Sequence, residues 1–149
     1  MRESDLYIPV RDWMRARGLS VHAEIFGCDV VGVGGEELIA VELKLGSPDA
    51  LRWQLARGAA HWADWVFGAL PHRPKKPHIS AFRSHGFGLL IVEDGRVAEI
   101  VKPKRQPYSF HKKHAYRLVK LSGRSPAQDH ETAGLPCCRQ LRQQRLARA

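Results

Sequence analysis

Near the start of the chain, apolar residues recur at helical spacing: Leu6, Val10, Trp13 and Met14 fall three or four apart, with Ser4 placed to cap the helix and Gly18 to end it. Pro9 lies about a turn inside that cap, so the helix either begins near Ile8 or bends there. The period then changes. "LSVHAEIF" and "CDVVGV" alternate and are rich in β-branched residues, and Gly34-Gly35 offers a tight turn into "EELIAVELKL", which predicts three successive strands. Ser47, Pro48 and Asp49 form a helix start, and the stripe Leu51, Leu55, Ala59, Trp62, Val66 and Leu70 predicts one long helix stopped by Pro71. "PHRPKKPH" reads as a proline-rich basic loop, and "GFGLLIVEDGRVAEIVKP" as a hairpin turning at Asp94-Gly95. The pattern to about residue 102 is α-β-β-β-α-β with an additional strand.

Beyond Lys102 the periodicity weakens. "YSFHKKHAYRLVKLSG" fits a basic helix, "GRSPAQDHETAG" a flexible link, and "LPCCRQLRQQRLARA" a short helix carrying Arg139, Arg142, Arg145 and Arg148 on an i, i+3 ladder. The expected division is therefore a core over residues 1–102 and a basic, partly helical arm over residues 103–149.

Charge separates the same two parts. Residues 1–100 hold 12 Lys+Arg against 13 Asp+Glu, whereas residues 101–149 hold 12 against 2, so the excess behind the net +9 lies in the last third. That asymmetry fits either a polyanion partner, whose phosphates release counterions when neutralised, or a solvated tail. A chain of 149 residues with 44% hydrophobic content can bury one ordinary core. No apolar run approaches the roughly 20 residues of a membrane span, the basic residues accompany no long apolar face, and "MRESDLYIPVRDW" lacks the layout of a secretory signal. Three cysteines, Cys28, Cys137 and Cys138, form neither a metal-ligand pattern nor an even disulfide framework. A cytoplasmic protein that does not enter membranes is expected.

The chemistry concentrates in "LIAVELKL". Alternation sets Leu38, Ala40, Glu42 and Lys44 on one face and Ile39, Val41, Leu43 and Leu45 on the other, so both faces are apolar until a charged pair appears at the end. Antiparallel pairing through the glycine turn brings Asp29 within a residue or two of Glu42 or Lys44, with a bulge to close the difference. Two facing carboxylates repel unless a cation lies between them, and such oxygen ligands suit a hard divalent ion, Mg²⁺ or Mn²⁺. An adjacent lysine is placed to orient the ion's water or to neutralise charge on a phosphorane, which is the chemistry of hydrolytic phosphodiester cleavage. The plain alternative is a Glu42 to Lys44 surface ion pair on an edge strand.

Asp29, followed thirteen residues later by Glu42-Leu43-Lys44 inside an α-β-β-β-α-β order, resembles the PD-(D/E)xK nuclease superfamily, over roughly residues 3 to 95 and towards its Holliday-junction-resolvase-like or RecB-like end. The resemblance implies an α/β fold with a restriction endonuclease-like αβββαβ core, a central mixed sheet flanked by helices, and Mg²⁺-dependent hydrolysis of DNA, selective for structure as in resolvases. It casts Asp29 and Glu42 as metal ligands and Lys44 as the water-positioning residue. Glu3 matches the first-helix glutamate of the family, with Asp5 and Asp12 as competitors, and Gln54 matches its helix glutamine. Cys28 stands where the motif's proline would be, and Gly58 replaces an aromatic found in some branches.

Gln54 and Arg57 lie beside the apolar stripe and fit either contact with the site and phosphate or ordinary surface positions. Lys112, Lys113, Arg139 and Arg142 are candidates for sequence-independent backbone contacts. Trp53, Trp62 and Trp65, three on one helix, read as packing residues before base-stacking ones. Family members that cut both strands pair up, so a homodimer is one expectation. The rival functions are a non-catalytic nucleic-acid-binding protein on the same fold and an RNA-directed nuclease.

Overall fold

The computed structural model of the protein describes residues 1–107 together with His114, Ala115, Arg117 and Val119. Six strands form one mixed sheet in chain order. Helix α1 (Ser4–Arg15) leads into an antiparallel meander of β1 (Ser20–Ile25), β2 (Cys28–Gly34) and β3 (Glu37–Leu43). Helix α2 (Pro48–Arg57) and a 3₁₀ turn (Ala59–His61) cross over to β4 (Trp65–Leu70), parallel to β3. Helix α3 (Lys76–His85) crosses to β5 (Gly88–Glu93), also parallel, and β6 (Arg96–Val101) returns through the Asp94-Gly95 turn.

Every residue of β3 and β4 is buried, as expected of central strands covered on both faces. Leu6, Val10 and Met14 of α1 pack on one face against Val30, Ile39, Val41 and Phe67. Leu51, Leu55, Ile79 and Phe82 of α2 and α3 cover the other with Leu38, Ala40, Val66 and Leu89, and Ala115 and Val119 join that layer. The approach is close at Gly68: a β-carbon there would stand 2.6 Å from Leu51 and 2.9 Å from Phe82, so only glycine lets both helices seat on β4.

Several sequence expectations change. The long helix to Pro71 is two elements: α2 ends at Gly58, and "WVFGAL" is the buried strand β4. A strand buried on both faces has no alternation, so its apolar run mimics a helical stripe. Part of the basic loop is helical, because Pro77 occupies the first turn of α3, where its missing N–H is harmless, and Gly86 closes the helix at φ +72°. Helix α1 runs through Pro9, with Glu3 rather than Ser4 at its N-cap. No bulge is needed between β2 and β3: Gly34 pairs with Glu37 and Val30 with Val41, and the two-residue turn is Gly35-Glu36. Lys104 and Gln106, assigned to the arm, are fastened to the core through backbone hydrogen bonds to Gly86 and Asp64. Lys112, Lys113, Arg139 and Arg142 lie outside the described residues, as does most of the proposed arm. Among the described residues, no helix is long and apolar enough to cross a membrane.

Candidate functional site

The β2–β3 register continues one step past Val30 and Val41 to set Asp29 opposite Glu42. Asp29 Oδ2 accepts the Leu43 backbone N–H at 2.8 Å, which fixes its carboxylate against the last turn of the ladder. Glu42 lies on the α2 face, next along from Leu38 and Ala40. Two turns into α2 from its Ser47 cap, Gln54 Nε2 donates to Glu42 Oε2 at 3.1 Å. The backbone N–H of Lys44 donates to Ala69 O, and its Nζ reaches Glu3 Oε1 at the N-cap of α1, 3.7 Å away. Asp29, Glu42, Lys44, Gln54 and Glu3 therefore converge from four elements on one end of the sheet.

Glu42 is only 3% exposed and Asp29 is half-buried, so Glu42 does not stand at a solvated rim. Burial pushes its pKa up to about 8, the hydrogen bond and charge of Asp29 push the same way, and Lys44 opposes them weakly. Cys28, between this pair and the core, is held protonated first by burial and then by the charge of Glu42. Its thiol donates to Val41 O at 3.4 Å. It acts as a small apolar wall, not as a nucleophile.

The two carboxylates are hydrogen-bonded to each other, and beyond that bond Asp29 is held by a backbone N–H and Glu42 by an amide donor. Such a carboxylate pair suits a hard cation whose remaining ligands are water and phosphate oxygens. Among the described residues, no three His, Cys, Asp or Glu side chains gather into a closed metal site. Glu3 meets the cluster through Lys44.

A solved structure of a protein of unknown function from Silicibacter pomeroyi superposes with a TM-score of 0.57, at 20% identity, covering 82% of this chain and 92% of that one. The likeness is one of fold. No family model matches the chain, and no curated protein does.

An open cleft of about 520 Å³ leads away from Glu42, lined by Gln54, Trp53, Arg57, Phe26 and Gly27 among others. A second, of about 430 Å³, continues past Arg57 to His61, Trp62 and His114. Arg57, a candidate phosphate contact, thus lines the same cleft as Glu42. Sequence reasoning missed Phe26, read as the end of a strand, although an aromatic residue before glycine at a hairpin tip was an available signal. It also treated Trp53 as packing, whereas Trp53 is 54% exposed and Trp65 is a buried strand residue.

Proposed function

We propose that the protein is a Mg²⁺-dependent DNA nuclease with a restriction endonuclease-like core. The carrying observation is the convergence of Asp29, Glu42, Lys44 and Gln54 at the ends of β2 and β3, where a bound cation would take the place of the proton that the two carboxylates share. Asp29 and Glu42 would hold the ion. When bound, it supplies charge to polarise the phosphodiester and to lower the pKa of an attacking water. Lys44 orients that water and offsets negative charge developing on the phosphorane. Gln54 fixes the rotamer of Glu42, and Glu3 restrains the Lys44 ammonium. Phosphate groups of the strand meet Arg57 beside the site.

The test uses linear, branched and single-stranded DNA, and RNA, with Mg²⁺ or EDTA, beside Asp29→Ala and Lys44→Ala variants. Metal-dependent cutting of DNA that falls by at least about a hundredfold in both variants supports the assignment. Equal activity in wild type and variants overturns it, and binding without cutting on every substrate replaces it with a non-catalytic nucleic-acid-binding role. Preferential cutting of RNA moves the substrate class to RNA.

A further inference from the structure

We infer that the cleft running from Glu42 and Gln54 past Phe26 to Trp62 seats unpaired bases, so that the preferred DNA carries a single-stranded segment beside the scissile phosphate. This rests on the nuclease reading for its substrate, and on separate observations for its shape.

Phe26 and Gly27 form the two-residue turn between β1 and β2, with Ile25 paired to Cys28. Phe26 has φ +52°, a left-handed conformation that asparagine, aspartate or glycine would adopt with far less strain. It remains 46% exposed, so its ring gains little core burial in exchange. The Asp94-Gly95 turn has the same backbone with an aspartate in the first position, so at the β1–β2 turn it is the choice of phenylalanine that calls for a reason. Here the turn aims the ring across the cleft, with its centroid 5.4 Å from that of Trp62 and the planes tilted by 57°. Phe26 also lines both clefts and so joins them.

Trp53 supplies a second open ring one turn before Arg57 on α2. The guanidinium carbons of Arg52 and Arg57 lie 5.3 and 5.7 Å from its centroid. Cations around an exposed ring suit a ligand that alternates flat aromatic groups with negative charge. Among the described residues, the lining besides Phe26, Trp53 and Trp62 is Glu42, Gln54, Arg57, His61, His114, glycine and alanine, with no leucine, isoleucine, valine or methionine to make the aliphatic surface that an amphipathic peptide helix would need. Duplex DNA keeps its base faces stacked inside the helix and offers a groove only their edges. Ring platforms are therefore useful to unpaired nucleotides, whose phosphates would follow Arg57 back towards Glu42.

The experiment measures fluorescence anisotropy of a labelled oligothymidylate and of a blunt duplex of equal length, using the full chain in EDTA so that nothing is cut. The single strand should bind at least about tenfold more tightly. Trp53→Ala and Phe26→Asn should each weaken single-strand binding by about tenfold, the scale of one lost base-on-ring stack, and Trp53→Phe should restore most of it. Asparagine tolerates the positive φ, and melting temperatures equal to wild type establish that both variants fold. Equal affinity for strand and duplex, or unaltered single-strand binding in both variants, overturns the inference. Tighter binding of an oligouridylate than of the oligothymidylate overturns the assignment to DNA. A parallel reaction in Mg²⁺ separates the two claims: a strand bound but never cut removes the nuclease reading and keeps the seat. Cutting with no preference for unpaired DNA does the reverse.

Discussion

Strand β3 buries a glutamate near each end, and the chain treats the two oppositely. Glu37, 2% exposed, is met by donors: the Trp65 indole N–H at 2.8 Å and the Arg105 guanidinium at 3.8 Å. The same guanidinium lies 3.3 Å from Asp64, whose other oxygen accepts the Leu38 N–H at 2.9 Å. At the far end, Glu42 faces a second carboxylate, receives one amide hydrogen bond from Gln54, and has Lys44 nearby as counter-charge. A buried acid surrounded by donors holds a fold together, whereas a buried acid set against another acid weakens it unless a proton or cation intervenes. The Glu37 end locks β3, β4 and the segment after β6 into place. The Glu42 end has no guanidinium or indole donor of that kind among the described residues, only the Gln54 amide and the Lys44 charge.

The largest effect expected from that contrast is in activity. Glu42→Gln should lower metal-dependent cleavage by about a hundredfold or more while the protein melts at least as high as wild type near pH 8, because it removes a buried like-charge contact. Glu37→Gln should do the opposite. It leaves Arg105 facing an amide and should lower stability by about 2–3 kcal/mol in urea unfolding, with cleavage per folded molecule retained. A Glu42→Gln variant that cuts normally, or a Glu37→Gln variant as stable as wild type, would erase the distinction.

Next in size is a pH effect whose sign follows from proton linkage. Glu42 binds its proton more tightly when folded, with a pKa of about 8 against an ordinary 4.5. Its contribution to stability is thus complete below about 4.5 and is lost as pH rises through about 8. The groups facing it are Asp29 on β2, Lys44 at the end of β3 and the neutral Gln54 on α2. Metal-free protein should therefore melt lower towards pH 8, and Mg²⁺ should raise the melting temperature more there than at acidic pH, since it binds the ionised pair. Glu42→Gln should flatten both trends in differential scanning fluorimetry. A Mg²⁺ response equal at both pH values, or undiminished in Glu42→Gln, would count against the cation site.

The Glu42 end was readable in sequence because it depends on short-range facts. The glycine turn and strand alternation together bring Asp29 to within a residue or two of Glu42, and the remaining offset, for which a bulge was expected, disappears because the turn lies one position further along, at Gly35-Glu36. The Glu37 end was not readable: Asp64 and Arg105 are 27 and 68 positions further along the chain, and no local period announces them. The same limit explains β4. Once Gly58 ends α2, nothing in "WVFGAL" distinguishes a doubly covered strand from a continuing helix except its β-branched and aromatic content, and the stripe through Trp62 and Val66 outweighed that. Helix α3 was hidden behind Pro74 and Pro77, because a proline at the first helical turn looks in sequence like a proline in a loop. Exposure of Trp53 and Phe26 depends on which surfaces the helices leave uncovered, which only the assembled layers reveal.

The smallest effect expected concerns Gln54, whose side-chain amide donates to Glu42. Its place on the exposed face of α2, beside the cleft, means that Gln54→Ala should change stability by less than about 0.5 kcal/mol. What should move is metal dependence. Without the 3.1 Å hydrogen bond, the Glu42 carboxylate is free to rotate towards Asp29 or away from it, and the outer contacts of metal ligands are typically worth about tenfold or more in affinity. Titrating Mn²⁺ against cleavage rate should then show a half-saturating concentration raised about tenfold, with a smaller change in the rate at saturation. Gln54→Met, which keeps the length but not the donor, should behave like alanine. If both variants titrate like wild type, Glu42 is positioned by the strand alone, and the contrast between the two ends of β3 reduces to the presence of Asp29.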